Sequence, residues 1–184
     1  MLTIDEDHTV GSVLFSQENI RLRIEDMAKE IDEAFKGVDQ VLAIGVLKGA
    51  AFFTADLARM LKTPTLVSYT TISSYGWNAL QSDGPQLQHD SDIPVQGRHV
   101  LIVEDIIDSG RTMSMLKQRL LANGALSVRI AILLDLLHRA EDRAVTPDFV
   151  GFKSRATWVC GYGIDYKEHY RNLPDIRQIE NPSA

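Results

Sequence analysis

Val100-Leu-Ile-Val-Glu-Asp-Ile-Ile-Asp-Ser-Gly-Arg-Thr112 is the stretch on which the fold turns. Val100 to Val103 is wholly apolar, as a strand covered on both faces requires. A helix is expected from about Met113 to Asn123, stopped by Gly124. In open parallel sheets ligands bind at the carboxyl ends of strands, so Glu104 and Asp105 are expected to emerge where chemistry is done. Adjacent carboxylates there suit sugar hydroxyls or a hydrated Mg2+. Asp108, Ser109, Gly110, Arg111 and Thr112 form a short turn into the helix, whose first N–H groups suit a phosphate, with the Ser109 and Thr112 hydroxyls as further donors. Asp or Ser at an N-cap is commonplace. Capping needs one acid, however, and Glu104 to Thr112 carries three acids, a glycine and two hydroxyls in nine residues.

The same strand–helix alternation continues on both sides. Val41 to Val46 is an apolar strand, followed by Gly49 and a helix from Ala50 to Leu61; Pro64 starts a second strand, Thr65 to Ile72. Val128 to Leu134 is a fourth strand of the same apolar kind. Upstream, Ile20, Ile24, Met27, Ile31 and Phe35 recur at helical spacing, with Ser16 as N-cap and Gly37 as stop. This order predicts an α/β fold, a Rossmann-like open parallel sheet flanked by helices and joined by right-handed crossovers. Residues 1–184 are expected to form a single domain, with 1–12 as an acidic tail. Ser73 to Gln96 is polar and turn-rich, either a lid or a surface hairpin. Phe149 to Phe152 and Trp158 to Tyr162 are shorter β-like pieces of an appended region beside the sheet.

Composition narrows the function classes. The chain has 184 residues, 45% hydrophobic and 24% charged, ordinary for a globular domain. No apolar run reaches the roughly 18 residues of a membrane span. The N-terminal MLTIDEDHTV is acidic and does not predict a secretory signal. Cys160 is the single cysteine, so no intrachain disulfide or multi-cysteine zinc site is expected, and a reducing cytoplasmic setting is. Nineteen basic against 25 acidic residues give a net charge of -6, with no basic stripe, which argues against a nucleic-acid partner. His8, His89, His99, His138 and His169 show no metal-ligand spacing.

VLIVEDIIDSGRTM resembles the phosphoribosyl-diphosphate (PRPP) signature of the type I phosphoribosyltransferases, in their hypoxanthine-guanine branch. The resemblance extends, in family order, through VLKGAAFFTADLAR (Val46 to Arg59), ISSYG (Ile72 to Gly76), PDFVGF (Pro147 to Phe152) and VCGYGIDYKEHYRNLP (Val159 to Pro174). It implies the type I phosphoribosyltransferase fold, with residues 73–96 a mobile lid and 149–184 contributing to a small hood built from the terminal segments. It implies purine salvage: transfer of ribose 5-phosphate from PRPP to a purine such as hypoxanthine or guanine, with Mg2+ as cofactor, in a homodimer or homotetramer.

Residue by residue, the resemblance places Glu104, Asp105, Ile106, Ile107, Asp108, Ser109, Gly110, Arg111 and Thr112 at the PRPP site. Glu104 and Asp105 take the ribose hydroxyls, directly or through metal-bound water, and Ser109 to Thr112 take the 5-phosphate. Asp108 accepts the purine N7 proton, or stabilises it electrostatically. Leu47, Lys48, Gly49 and Arg171 match the diphosphate site, where relatives place a non-proline cis bond between the first two. Trp158 matches the purine-stacking aromatic and Val159 a backbone contact to the base. Asp165, with Glu104 and Asp105, matches the carboxylates near Mg2+, and Ser74 and Tyr75 match the lid tip. One position departs: where the family typically has a lysine that reads the 6-oxo group, this chain has Leu136. A one-residue insertion would bring His138 or Arg139 into that role. Hypoxanthine and guanine are the expected bases, xanthine or adenine the alternative. A PRPP-sensing, non-catalytic regulator is the alternative from another class.

Overall fold

A computed structural model describes residues 9–73, 86–137 and 143–181. In chain order the elements are β1 (Thr9–Phe15), α1 (Gln17–Ala34), β2 (Val41–Leu47), α2 (Ala51–Met60), β3 (Thr65–Ser73), β4 (Gln86–His89), β5 (His99–Ile107), α3 (Arg111–Ala122), β6 (Ser127–Leu136), β7 (Phe149–Ser154), β8 (Val159–Cys160) and β9 (Ile176–Glu180). Six strands form one sheet in the order β4-β3-β2-β5-β6-β7, parallel except for β4, which is antiparallel to β3. No helix among the described residues is long and apolar enough to cross a membrane.

The apolar strands are covered on both faces, as their unbroken hydrophobicity demands. Leu101, Val103 and Leu133 pack with Ile20, Ile24, Met27 and Ile31 of α1 and with Phe53 and Leu57 of α2. The alternate residues Val100, Ile102, Ile130 and Ile132 pack with Met113, Leu116 and Leu120 of α3. Each such side chain removed from water is worth about 1.5–3 kcal/mol. Helix α1 starts at a reciprocal cap: the Ser16 hydroxyl accepts from the Asn19 N–H at 3.2 Å, and Asn19 Oδ1 accepts from the Ser16 N–H at 3.4 Å.

Several boundaries differ from those read in the sequence. Strand β5 continues past the apolar run, because β6 is long enough to pair with it through Glu104↔Ile132 and on to Ile107↔Asp135. Glu104 and Asp105 therefore lie within a strand, not in the loop after it. Helix α3 begins at Arg111, so Arg111 and Thr112 form its first turn behind Gly110, the N-cap, with φ 70°. Phe149 to Phe152 belongs to β7, the sixth strand of the main sheet, paired with β6 from Ala131↔Phe149 to Leu136↔Ser154, rather than to the hood. Arg23 of α1 donates to the carbonyls of Val150 and Gly151 on that strand, at 2.8 and 3.0 Å.

From Thr9 onward the expected N-terminal tail is strand. β1, β9 and β8 form a separate antiparallel sheet in that order, with Phe15 stacked on Phe152 of β7 at a centroid separation of 4.2 Å. The stretch 73–96 is not loop throughout. β4 pairs with β3, the Ser68 hydroxyl donates to Asp92 Oδ1 at 2.5 Å, and Ser91 Oγ lies 2.9 Å from Ser68 Oγ, so residues 86–92 are fastened to the sheet.

Candidate active site

Strand β2 is flanked by β3 on one side and β5 on the other, although β5 follows β3 in sequence. That reversal of direction opens a crevice beyond the carboxyl ends of β2 and β5. Leu47-Lys48-Gly49 leaves β2 into it, through a cis Leu47–Lys48 peptide, beside the acidic segment of β5. A β-carbon on Gly49 would overlap the Asp105 carboxylate, and one on Gly163 would overlap the Gly49 carbonyl oxygen. Glycine at 49 and 163 therefore lets three segments stack: the hood turn, the β2 corner and the β5 acids.

The two acids are unequal. Burial, reinforced by the neighbouring Asp105 charge, holds the Glu104 carboxyl well above the usual carboxylate range. Burial also raises Asp105, opposed by the hydrogen bond to Glu104, by backbone N–H groups and by the Arg171 charge. The pair is thus an anion pocket in reverse, two half-buried carboxylates held above their usual range that favour a cation or donor hydroxyls.

Arg171 arrives from the turn between β8 and β9. It donates to the Gly163 carbonyl at 2.9 Å and pairs with Asp165 at 2.8 Å and Glu168 at 3.4 Å. Its buried Nε–H has no hydrogen-bond partner among the described residues. Lys48 donates to Glu168 at 2.9 Å across an exposed pair, and Lys48 foremost, then Arg171, holds the Glu168 carboxyl below its usual range. Asp165 Oδ2 also accepts the Glu168 N–H at 2.9 Å. Among the described residues no three His, Cys, Asp or Glu side chains are placed to share one metal ion; Asp165 and the Glu104–Asp105 pair do not form a single cage.

Gly110 turns the chain into α3, whose first intrahelical bond runs from the Ser114 N–H to the Gly110 carbonyl at 2.9 Å. Ile107 is a core side chain, so it can offer a ligand only its main chain, and Ile106 packs against the opposite cluster. Trp158 is 50% exposed and makes a perpendicular ring contact with buried Tyr166 at 5.9 Å. Val159 is buried and paired with Gln178. The Leu136 side chain is buried in the core and carries no polar group to a ligand. Ser74, Tyr75, His138 and Arg139 lie outside the described residues.

Three residues near the site escaped the sequence reading. Gly163 was signalled only by its place in GYG, and Glu168 reads as one surface acid among many. Arg143, which donates from Nε to the Asp108 carbonyl at 3.0 Å, sits in a polar connection with no periodicity to mark it.

Desolvated acids against a glycine corner at a sheet's switch point, with a helix N-terminus beside them, define an α/β domain of the sugar-phosphate-handling class. The phosphoribosyl transferase domain model matches residues 12–167. The chain belongs to the phosphoribosyltransferase family, in its hypoxanthine-guanine branch. It is 40% identical over 169 residues to hypoxanthine-guanine phosphoribosyltransferase of Bacillus subtilis (strain 168), covering 92% of this chain and 93% of the relative. It is 39% identical over 174 residues to hypoxanthine phosphoribosyltransferase of Escherichia coli (strain K12), covering 94% and 96%. A ternary substrates complex of a Trypanosoma cruzi hypoxanthine phosphoribosyltransferase mutant superposes with a TM-score of 0.84 at 34% identity, covering 93% of this chain and 96% of that one.

Proposed function

We propose that this protein transfers ribose 5-phosphate from PRPP to a ring nitrogen of a 6-oxopurine, hypoxanthine or guanine, releasing diphosphate. The observation that carries the reading is the contact of the Leu47-Lys48-Gly49 corner with the Asp105 carboxylate, beside the N-terminus of α3. One crevice thereby offers cations to a diphosphate, carboxylates to a sugar and N–H groups to a phosphate. The names of the relatives support the purine as acceptor.

In this reading Lys48 and the unsatisfied Arg171 Nε–H neutralise charge growing on the departing diphosphate. Glu104 and Asp105 accept hydrogen bonds from the ribose hydroxyls and orient a ring that becomes electron-poor as the bond to diphosphate loosens. The Ser109 to Thr112 segment holds the 5-phosphate, mostly through main-chain N–H groups. Asp108 takes the N7 proton of the base or offsets its charge, and Trp158 stacks on the purine.

Mg2+ fits the residues present, because the Glu104–Asp105 pair and, separately, Asp165 each offer hard oxygens to an ion that keeps most of its waters and shares substrate phosphates. When bound, it supplies charge neutralisation at the diphosphate. A cytoplasmic homo-oligomer, dimer or tetramer, completes the reading; Cys160 is buried, its thiol pushed up to about 11 by burial, and so inert. The test is turnover of purified protein with PRPP, Mg2+ and, in turn, hypoxanthine, guanine, xanthine and adenine. Inosine and guanosine monophosphates are the expected products; preferential use of adenine would overturn the assigned base.

A further inference from the structure

Arg143 sits where three segments meet. Its side chain is 8% exposed and pairs with Asp135, 7% exposed, at 2.6 Å. The same Nη2 donates to the Leu136 carbonyl at 2.9 Å, and Nε donates to the Asp108 carbonyl at 3.0 Å. The next residue follows suit: the Ala144 N–H donates to the Ser109 carbonyl at 2.9 Å. A β-carbon on Gly110 would stand 2.9 Å from Arg143 Cγ and 3.3 Å from Val145 Cγ1, so residues 143–145 line one whole side of the turn.

In a trans peptide the carbonyl and the following N–H point in opposite directions, and among the described residues only the Leu47–Lys48 bond is cis. Holding the Asp108 and Ser109 carbonyls toward residues 143–145 therefore aims the Ser109 and Gly110 N–H groups the other way. Neither of those N–H groups makes a main-chain hydrogen bond among the described residues. The charge pair with Asp135 anchors the guanidinium to the end of β6, opposite Ile107 of β5.

We infer that Arg143 is a positioning residue for the phosphate turn: with Asp135 as its anchor, it fixes the Asp108–Ser109 peptide so that the turn's N–H groups face the 5-phosphate. This rests on the phosphate assignment made above. It assigns no ligand contact to Arg143 itself. Arginine is required because one planar fork reaches a carboxylate and two carbonyls of separate segments, which an ammonium cannot do from one position.

The test is Arg143→Lys in the full chain, which keeps a cation opposite Asp135 but loses the fork. Isothermal titration with ribose 5-phosphate reads the turn, and titration with diphosphate reads the Lys48–Arg171 side. The expected result is a dissociation constant for ribose 5-phosphate weakened about tenfold, as for one charge-assisted bond, with diphosphate binding unchanged. Equal weakening for both ligands, or none for either, would overturn the inference. If Arg143→Lys does not fold, Arg143→Met with Asp135→Leu removes the buried pair together, and the same selective loss is expected. Turnover of the unaltered protein is measured separately, so failure of the phosphoribosyltransfer reading shows there and not in these titrations.

Discussion

Gly49→Ala isolates the contact that assembles the crevice. Gly49 does not have a left-handed backbone, so an alanine costs nothing through φ; the cost is the overlap of its β-carbon with the Asp105 carboxylate. Overpacking of this kind costs about 1–3 kcal/mol, which for a chain of this size lowers the melting temperature by roughly 2–12 °C. Displacing the carboxylate or the corner by about 1 Å is expected to lower kcat/KM by about 100-fold. The companion change is Asp105→Ala, which deletes the three Asp105 atoms nearest the new β-carbon, Oδ2, Cγ and Oδ1. Made together, the two changes should show a favourable coupling of about 1–3 kcal/mol in urea unfolding, because the clash exists only when both groups are present. Stability returns in the double variant and turnover does not, since the carboxylate proposed to hold the sugar is gone. Wild-type stability in Gly49→Ala, or strictly additive losses, would refute the stacking of corner on acid.

Glu104→Gln tests the desolvated pair. The folded chain holds a proton on Glu104 at pH values where the unfolded chain has released it, so stability falls as pH rises from the ordinary carboxylate pKa through the raised one. The glutamine variant should flatten that slope and melt higher at neutral pH while binding PRPP more weakly; an unchanged slope by thermal melts across pH would contradict the assignment. Trp158→Ala should leave the melting temperature nearly unchanged, because the indole is half exposed, yet weaken inosine monophosphate binding about 5- to 150-fold, the range for one lost stacking contact. Calorimetry decides, and wild-type affinity would remove Trp158 from the purine site. Lys48→Ala breaks only an exposed pair with Glu168, 67% and 65% exposed, so stability should hold while diphosphate affinity drops about tenfold and depends less on salt. Equal affinity at low and high salt in both proteins would argue against the assigned role.

Much of this was legible in the sequence where a side chain's task leaves a local pattern. Val100 to Val103 is wholly apolar, and Val128 to Leu134 is so but for Arg129, because helices cover both faces of the sheet; with the strand–helix alternation that predicts parallel strands. The Glu104 to Thr112 segment was legible because acids and small residues behind a buried strand have few structural uses. Its exact register was not: whether β5 stops at Val103 or runs on to Ile107 depends on the length of its neighbour β6, a fact of pairing rather than composition. β1 was missed for a related reason. TVGSVLF is partly exposed and becomes a strand by pairing with β9 at the other end of the chain. Arg143, Gly163 and Glu168 act through groups far away in sequence, a carbonyl at 108, a backbone oxygen at 49 and an ammonium at 48, and only Gly163, in GYG, carries any local mark.

A transferase makes a bond in this crevice, whereas a sensor only holds a ligand there. The direct measurement incubates the protein with PRPP, Mg2+ and hypoxanthine and quantifies inosine monophosphate and diphosphate by chromatography, beside Asp108→Ala. The two products should appear in equal amounts with the unaltered protein. Asp108→Ala should lose about 100-fold or more in turnover, with PRPP still bound. PRPP binding without nucleotide formation from hypoxanthine, guanine, xanthine or adenine would rule out transfer.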